Sequence, residues 1–333
     1  MIYNIGDLHI KKNNESINWE ANAIALLEYF KSVSFTKEDV LVFTGDVSDT
    51  SKNSGHINKL ILQIFQYLSS QVNHIYVIPG NHETSLSNGT ALRLLLVIEN
   101  LTLFETFGHA IIDDKLMLFA PSIEGLTFNG RYEEKMNKYC EDNSLTDVFC
   151  IYGHAATNFS KMFNMSYLDI ELLSFNFQYM IMGDIHKADK WVTGNRVIIS
   201  TGSFWPDDKG ERNYDFSYSV FEGNIFKTVP IPKGLFYGFE NVNYKDLVAF
   251  AFKPKTFYCV SVLCKKEEKS TIEKEIKKVI NRNLYDITYS YIDDVKEEMS
   301  ILKTDNDVLN FYFKENPCSK NVQNIIFSKL QRN

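Results

Sequence analysis

Five times in its first 190 residues the chain places a glycine at the end of an apolar run and follows it with a side chain able to bind metal. The segments are Gly6-Asp7-Leu8-His9, Gly45-Asp46, Gly80-Asn81-His82-Glu83, Gly153-His154 and Gly183-Asp184-Ile185-His186. The runs before them read as strands: Ile2–Gly6, Val40–Thr44, His74–Pro79, Val148–Gly153 and Tyr179–Gly183. Further strands are expected at Lys115–Phe119 and Arg196–Thr201. Several of these runs are nearly all apolar, as strands covered on both faces must be. Between them lie amphipathic stretches at Asn18–Val33, Ile57–Ser69 and Ala91–Glu99, each with its apolar side chains on one broad face. The alternation predicts a layered α/β fold. In an open α/β sheet ligands gather beyond the carboxyl ends of the strands, so five such ends can aim their polar residues into one crevice.

The residue types narrow the chemistry. Imidazole mixed with carboxylate and amide oxygen suits manganese, iron or zinc better than calcium or magnesium. None of the five cysteines (Cys140, Cys150, Cys259, Cys264, Cys318) joins the segments or forms a CxxC pair, which argues against a zinc ribbon or a disulfide framework. In Asp7-x-His9 and Asp184-x-His186, alternation along an extended segment would put both side chains on one face. Asp46 suits a bridge between two ions about 3.5–4 Å apart. Taken singly each segment is ordinary loop composition; the set of five, each at a strand end, is not.

The remaining features bound the setting. Met1 runs straight into Ile2-Tyr3-Asn4, which predicts no signal peptide, and runs such as Leu94–Ile98 are far short of a membrane span of roughly 20 residues. A cytoplasmic protein with no membrane partner is expected, and richness in Lys, Asn, Phe and Tyr suits a phage or a low-GC bacterium. The formal net charge of −7 speaks against a uniformly basic, nucleic-acid-coating surface. Past Val229, Ile231-Pro232-Lys233-Gly234 reads as a boundary. A small β-α-β module follows (Thr256–Cys264, Ser270–Arg282, Asp286–Ile292), and then two amphipathic helices over Thr304–Glu315 and Asn321–Leu330.

The five segments, in this order, resemble the signature of the calcineurin-like metallophosphoesterases: D-x-H, G-D, G-N-H-[DE], G-H and G-H-x-H. The match covers residues 1 to about 205. The resemblance implies a layered sandwich of sheets flanked by helices, two divalent metal ions and phosphoester hydrolysis. It assigns Asp7, His9, Asp46 and His186 to one ion, and Asp46, Asn81, His154 and Asp184 to the other. His82 would serve the leaving oxygen as general acid, and Glu83 would orient its imidazole. Asp184 stands where the family usually has histidine, and a carboxylate there should favour manganese or magnesium over softer ions.

Within the superfamily the layout resembles the SbcD-type DNA repair nucleases. The features are Gly202-Ser203 after the last motif, the β-α-β module, and the terminal helices. This implies a manganese-dependent DNA exo- and endonuclease that works on DNA as a homodimer with an SbcC-type coiled-coil ATPase. Three parts follow: a nuclease domain at 1–230, a DNA-contacting capping domain at 231–300, and an ATPase-docking segment at 301–333. Nine Lys and Arg residues against four Glu lie between 253 and 283, among them Lys253, Lys255, Lys265, Lys266 and Lys269. They fit a phosphate-contacting surface and equally a solvated helix laced with ion pairs. Phe204 and Trp205 could stack on a base, although core packing is the commoner fate of such residues. The rival readings are a phosphomonoesterase and a non-catalytic adaptor. Against the first, Asp49 is followed by Thr50-Ser51, without the Asp-Arg-Gly that protein phosphatases use to clamp phosphate.

Overall fold

The computed structural model describes residues 1–13, 19–85, 89–123, 131–160, 167–280 and 283–291. The helices expected over 301–333 lie outside the described residues. The chain forms two compact units, the first of Met1–Glu240 with Phe252–Phe257, the second of Asn241–Ala251 with Tyr258 onward.

The first unit begins with β1 (Ile2–Ile5), α1 (Glu20–Ser32), β2 (Val40–Thr44), α2 (Gly55–Gln71) and β3 (His74–Ile78). A two-stranded hairpin of β4 (Thr84–Ser85) and β5 (Gly89–Thr90), a 3-10 helix (Ala91–Val97) and β6 (Leu101–Leu103) complete this half. Then come β7 (Gly108–Ile112), β8 (Lys115–Ala120), α3 (Arg131–Asp142), β9 (Asp147–His154), β10 (Asn176–Gly183), β11 (Asp189–Thr193) and β12 (Arg196–Ser200). Strands β13 (Ser217–Glu222) and β14 (Ile225–Pro230) return to the first sheet. The two six-stranded sheets run β14-β13-β1-β2-β3-β6 and β11-β12-β10-β9-β8-β7.

Period-two alternation builds the layers. In the first sheet Tyr3, Ile5, Leu41, Phe43, Ile75 and Val77 pack under α1 and α2, against Leu26, Phe30, Ile61 and Phe65. Their neighbours Ile2, Val40, Val42 and Ile78 face the other way, onto Met117, Phe119, Cys150, Tyr152, Ile181 and Ile199 of the second sheet. The far side of that sheet, with Leu118, Ile151, Met180 and Met182, is covered by Tyr132, Met136 and Cys140 of α3. The result is a four-layer helix–sheet–sheet–helix sandwich. Because β1, β2 and β3 are parallel in one sheet and β8, β9, β10 and β12 in the other, the carboxyl ends carrying the five segments fall on the same side of their sheets.

Two departures from the sequence reading have physical causes. The helix expected at Ala91–Glu99 is a 3-10 helix over Ala91–Val97, in which Leu92 and Leu95 are buried; their three-residue spacing matches a 3-10 turn. Strands β7, β11 and β14 are antiparallel edge strands, whose mixed exposure hides them from a search for continuous apolar runs, while β13 is an interior antiparallel strand whose serines at 217 and 219 interrupt its apolar run. Phe204 and Trp205 take the core packing expected as the commoner fate, both buried under the first sheet, so neither is presented for base stacking.

The second unit contains most of a three-stranded sheet ordered β15 (Gly238–Asn243), β16 (Thr256–Cys264) and β17 (Leu284–Tyr291). Strands β16 and β17 are parallel, and the crossover helix α4 (Lys269–Val279) buries Ile272 and Ile276 against Val260, Val262 and Leu284.

Candidate metal centre

The strand ends converge. Asp7, His9 and His186 offer ligand atoms within 4.8 Å of one another, as do Asp7, Asp46 and His154, and also His9, Asp46 and His82. Nε2 of His9 lies 2.9 Å from Nε2 of His186. Asp46 Oδ2 lies 3.3 Å from His154 Nε2, 3.6 Å from His9 Nε2 and 3.9 Å from His82 Nε2. Asn81 Oδ1 is 2.8 Å from His154 Nε2, and Asp184 Oδ1 is 3.8 Å from it. One oxygen of Asp7 accepts from the Asp184 amide at 2.9 Å; the other is buried without a hydrogen bond among the described residues.

The local backbone is what aims these groups. Asp7, His9, Asp46 and Asp184 all adopt positive φ, between 43° and 83°. Such conformations are uncommon outside glycine and collect where function over-determines the structure. They also correct one expectation: Asp7 and His9 share the site through two left-handed turns rather than by alternation along a strand. Gly45 has φ +95°, and a Cβ there would come within 2.3 Å of His154 Nδ1. A Cβ on Gly80 would meet Asp46 Oδ1 at 2.0 Å. These two glycines let ligand side chains pack directly on backbone.

Second partners choose the tautomers. His154 Nδ1 donates to the Thr44 carbonyl at 2.8 Å, and His186 Nδ1 donates to Glu211 Oε1 at 2.5 Å. Both acceptors lack protons to give, so the Nε2 atoms are left facing the cluster, where a metal would replace their protons. His82 Nδ1 donates likewise to the Asp49 carbonyl at 3.1 Å, turning its Nε2 inward, while the side chain stays 39% exposed at the mouth. Glu83 differs from its expected role. Its carboxylate is fully buried and accepts the amides of Asp46, Ser48 and Gly80, at 3.1, 2.6 and 2.7 Å. It braces the two ligand loops through these three amides, and among the described residues it makes no hydrogen bond to the His82 ring.

The electrostatics show what the cluster lacks. Burial alone would raise the Asp46 carboxyl, but the neighbouring His154 and His9 imidazoles carry it below the usual range. Burial alone would lower His154, and Asp46 more than reverses this, holding it well above an ordinary imidazole. His186, lowered by burial and raised by Glu211 and Asp7, ends at about 9. Burial pushes Asp7 up. Without cations, protons must therefore neutralise this set of carboxylates. Divalent metal fits instead: two imidazole nitrogens bound at about 2.1 Å and at right angles would be roughly 3.0 Å apart, close to the 2.9 Å between His9 and His186. The orphaned oxygen of Asp7 and the central position of Asp46 suit the same ions.

Residues that the motifs do not mark also belong to the site. Glu211 holds His186, and its other oxygen accepts the Asp207 amide at 2.7 Å. Lys11 reaches Asp207 at 2.5 Å and Asp49 at 3.7 Å, and Asp49 lies 3.4 Å from His9 Nδ1. Glu211 stands 25 residues beyond His186, outside any motif, so only the fold brings it in. The candidate DNA-contacting lysines divide between the two units. Lys253 pairs with Glu240 at 2.9 Å and Lys255 donates to the Leu235 carbonyl, both in the first unit. Lys265, Lys266 and Lys269 belong to the second unit, with Lys266 over the Tyr291 ring and Lys269 over the Tyr289 ring. His56, His74 and His109 bond to Glu20, Thr102 and Tyr139, away from the cluster.

The chain is similar to several known proteins. An uncharacterized protein, R555, of Acanthamoeba polyphaga mimivirus is 25% identical over 224 residues; the match takes in 63% of this chain and 16% of that protein's length. Among solved structures, a novel archaeal phosphodiesterase aligns with a TM-score of 0.36 and 11% identity, covering 69% of this chain and 98% of its own. The phosphopantetheinyl hydrolase PptH of Mycobacterium tuberculosis aligns with a TM-score of 0.40 and 11% identity, covering 71% and 97%. The sequence profile of the calcineurin-like phosphoesterases matches residues 1–233. The chain belongs to the calcineurin-like phosphoesterase family of metal-dependent hydrolases.

Proposed function

We propose that the chain is a two-metal phosphodiesterase acting on DNA, of the SbcD type, with manganese as its working ion. The observation that carries the reading is His82. Its Nδ1 is held by the Asp49 carbonyl, its Nε2 points inward 3.9 Å from Asp46 Oδ2, and it is exposed enough to meet a substrate. A group so placed gives a proton to a departing oxygen. The bound ions would supply a lowered pKa for the attacking water and charge neutralisation on the phosphoryl oxygens. The chain's own residues do the rest. Asp46 and the imidazoles hold the ions, Glu83 fixes the two loops, and Glu211 and Thr44 fix the tautomers.

Two features favour a diester over a monoester. The arginine clamp of the protein phosphatases has no counterpart after Asp49, and Lys11 beside the cluster is already paired with Asp207 and Asp49. A singly charged diester asks for less cationic help than a dianionic monoester. Asp184 in place of histidine makes the second site harder, which supports manganese or magnesium. The β-α-β arrangement of β16, α4 and β17 supports a capping domain at 231–300. The same reading extends to a homodimer and an SbcC-type coiled-coil ATPase docked through 301–333.

The test is cleavage of end-labelled double-stranded DNA with manganese, beside p-nitrophenyl phosphate and the His82→Ala variant. Manganese-dependent cutting of DNA that is lost in His82→Ala is the expected result. Hydrolysis of the monoester alone would replace this reading by a phosphomonoesterase, which shares the Gly80-Asn81-His82-Glu83 form.

A further inference from the structure

The stretch from Phe204 to Phe216 links the second sheet back to the first, and it serves two places. Through Asp207 and Glu211 it holds Lys11 and His186 at the metal centre. Through other residues it forms part of the wall of a cavity of about 620 Å³, a volume in the range of small-ligand sites (roughly 300–1,000 Å³). The inner lining is apolar and tightly built: Trp205 and Phe236 are buried with ring centroids 4.9 Å apart.

The outer lining has a different chemistry. Tyr214, Phe216 and Tyr237 contribute half-buried aromatic rings. Arg212, next in the chain to the Glu211 that grips His186, is exposed at the same cavity. Prolines at 206, 230 and 232 fix φ along three parts of the wall, so the shape stands before any ligand arrives. Aromatic faces accept a flat delocalised ring by stacking, and guanidinium matches a phosphate group in a way that few other side chains do. Ring and phosphate together describe a nucleotide.

We propose that this cavity is a nucleobase subsite, in which Tyr214 stacks on the base of a nucleotide and Arg212 meets its phosphate. The identity of the ligand rests on the phosphodiesterase reading above; the aromatic character of the cavity does not. The ligand's source is either a free nucleotide or the end of a nucleic-acid strand, and the shared chemistry is the base with its phosphate.

The test uses the full metal-loaded chain carrying His82→Ala, so that hydrolysis is held back. It is titrated with 2-aminopurine riboside 5′-monophosphate and, separately, with oligodeoxythymidylate ending in 2-aminopurine; quenching of the fluorophore reports stacking. Adding Tyr214→Ala should weaken binding by about tenfold or more, while Tyr214→Phe should retain it, since both rings stack. Arg212→Ala should weaken binding as well. Tighter binding of the oligonucleotide identifies a strand end, and tighter binding of the monophosphate identifies a free nucleotide. Binding that is equal with and without the Tyr214 ring, in proteins of unchanged melting temperature, overturns the proposal, as does no quenching by either probe. Cleavage of end-labelled DNA by the unaltered chain is followed in parallel. Quenching without cleavage would sink the nuclease reading alone, and cleavage with Tyr214-independent binding would sink the subsite alone.

Discussion

Oε1 of Glu211 lies 2.5 Å from Nδ1 of His186, completing a carboxylate–histidine pair whose far nitrogen faces the cluster. The pair sets ring direction and tautomer together, and partners of this kind typically contribute about 10–100-fold to metal affinity. Glu211→Ala should therefore weaken manganese binding by about that factor. Titration of the metal-free protein by calorimetry measures it, and unchanged affinity would show that His186 is oriented by something else.

His82 makes a separable prediction. It stands at the mouth, its Nε2 3.9 Å from Asp46 Oδ2 and its ring edge-on to His9 with centroids 4.9 Å apart. His82→Ala should lower turnover by about 10²–10⁴-fold while metal content stays the same. Metal analysis of the purified variant beside its hydrolysis rate distinguishes loss of an acid from loss of an ion.

Glu83 should act on stability first. Its carboxylate accepts three backbone amides in a fully buried position. In Glu83→Ala those donors lose their partner, at about 1–3 kcal/mol for each buried group left unsatisfied. A large drop in melting temperature is expected, with metal binding falling alongside because Asp46 and Asn81 ride on the loops it braces. A variant as stable as the parent would overturn this account.

The metal-free protein should lose stability as pH rises. His186 is held at about 9, above the ordinary imidazole value of 6.5, so its contribution is complete below about 6.5 and disappears as pH climbs through about 9. Glu83, pushed up to about 8 by burial and by Asp46, acts in the same direction. Melting temperatures of the metal-free chain should fall between pH 6.5 and 9, and Glu211→Gln should remove part of the slope. Metal competes with the same protons, so manganese affinity should rise across that window.

Asp184 offers a test of metal preference. One oxygen accepts the Ala156 amide at 3.0 Å while the other faces His154. Asp184→His supplies the residue usual in the family and a softer ligand, which should raise the ratio of zinc to manganese affinity. Competition between the two ions for the metal-free protein checks the direction.

The sequence by itself determined which polar side chains gather and at which edge of the sheets. Apolar runs that end in glycine require buried parallel strands, and the polar residues after each glycine have only the carboxyl edge of a sheet to occupy. That logic located Asp7, Asp46, Asn81, His154 and His186 without coordinates, because strand burial and chain order are local properties. What surrounds the ligands is decided by tertiary structure. Glu211 reaches His186, Lys11 reaches Asp207, and Glu83 turns to three amides rather than to His82, because contacts between segments far apart in the chain depend on how two sheets stack. The positive φ angles at Asp7, His9, Asp46 and Asp184 belong to the same class. No local preference of Asp or His calls for four left-handed residues; the packed sandwich holds them there, and so converts strand ends into a metal centre.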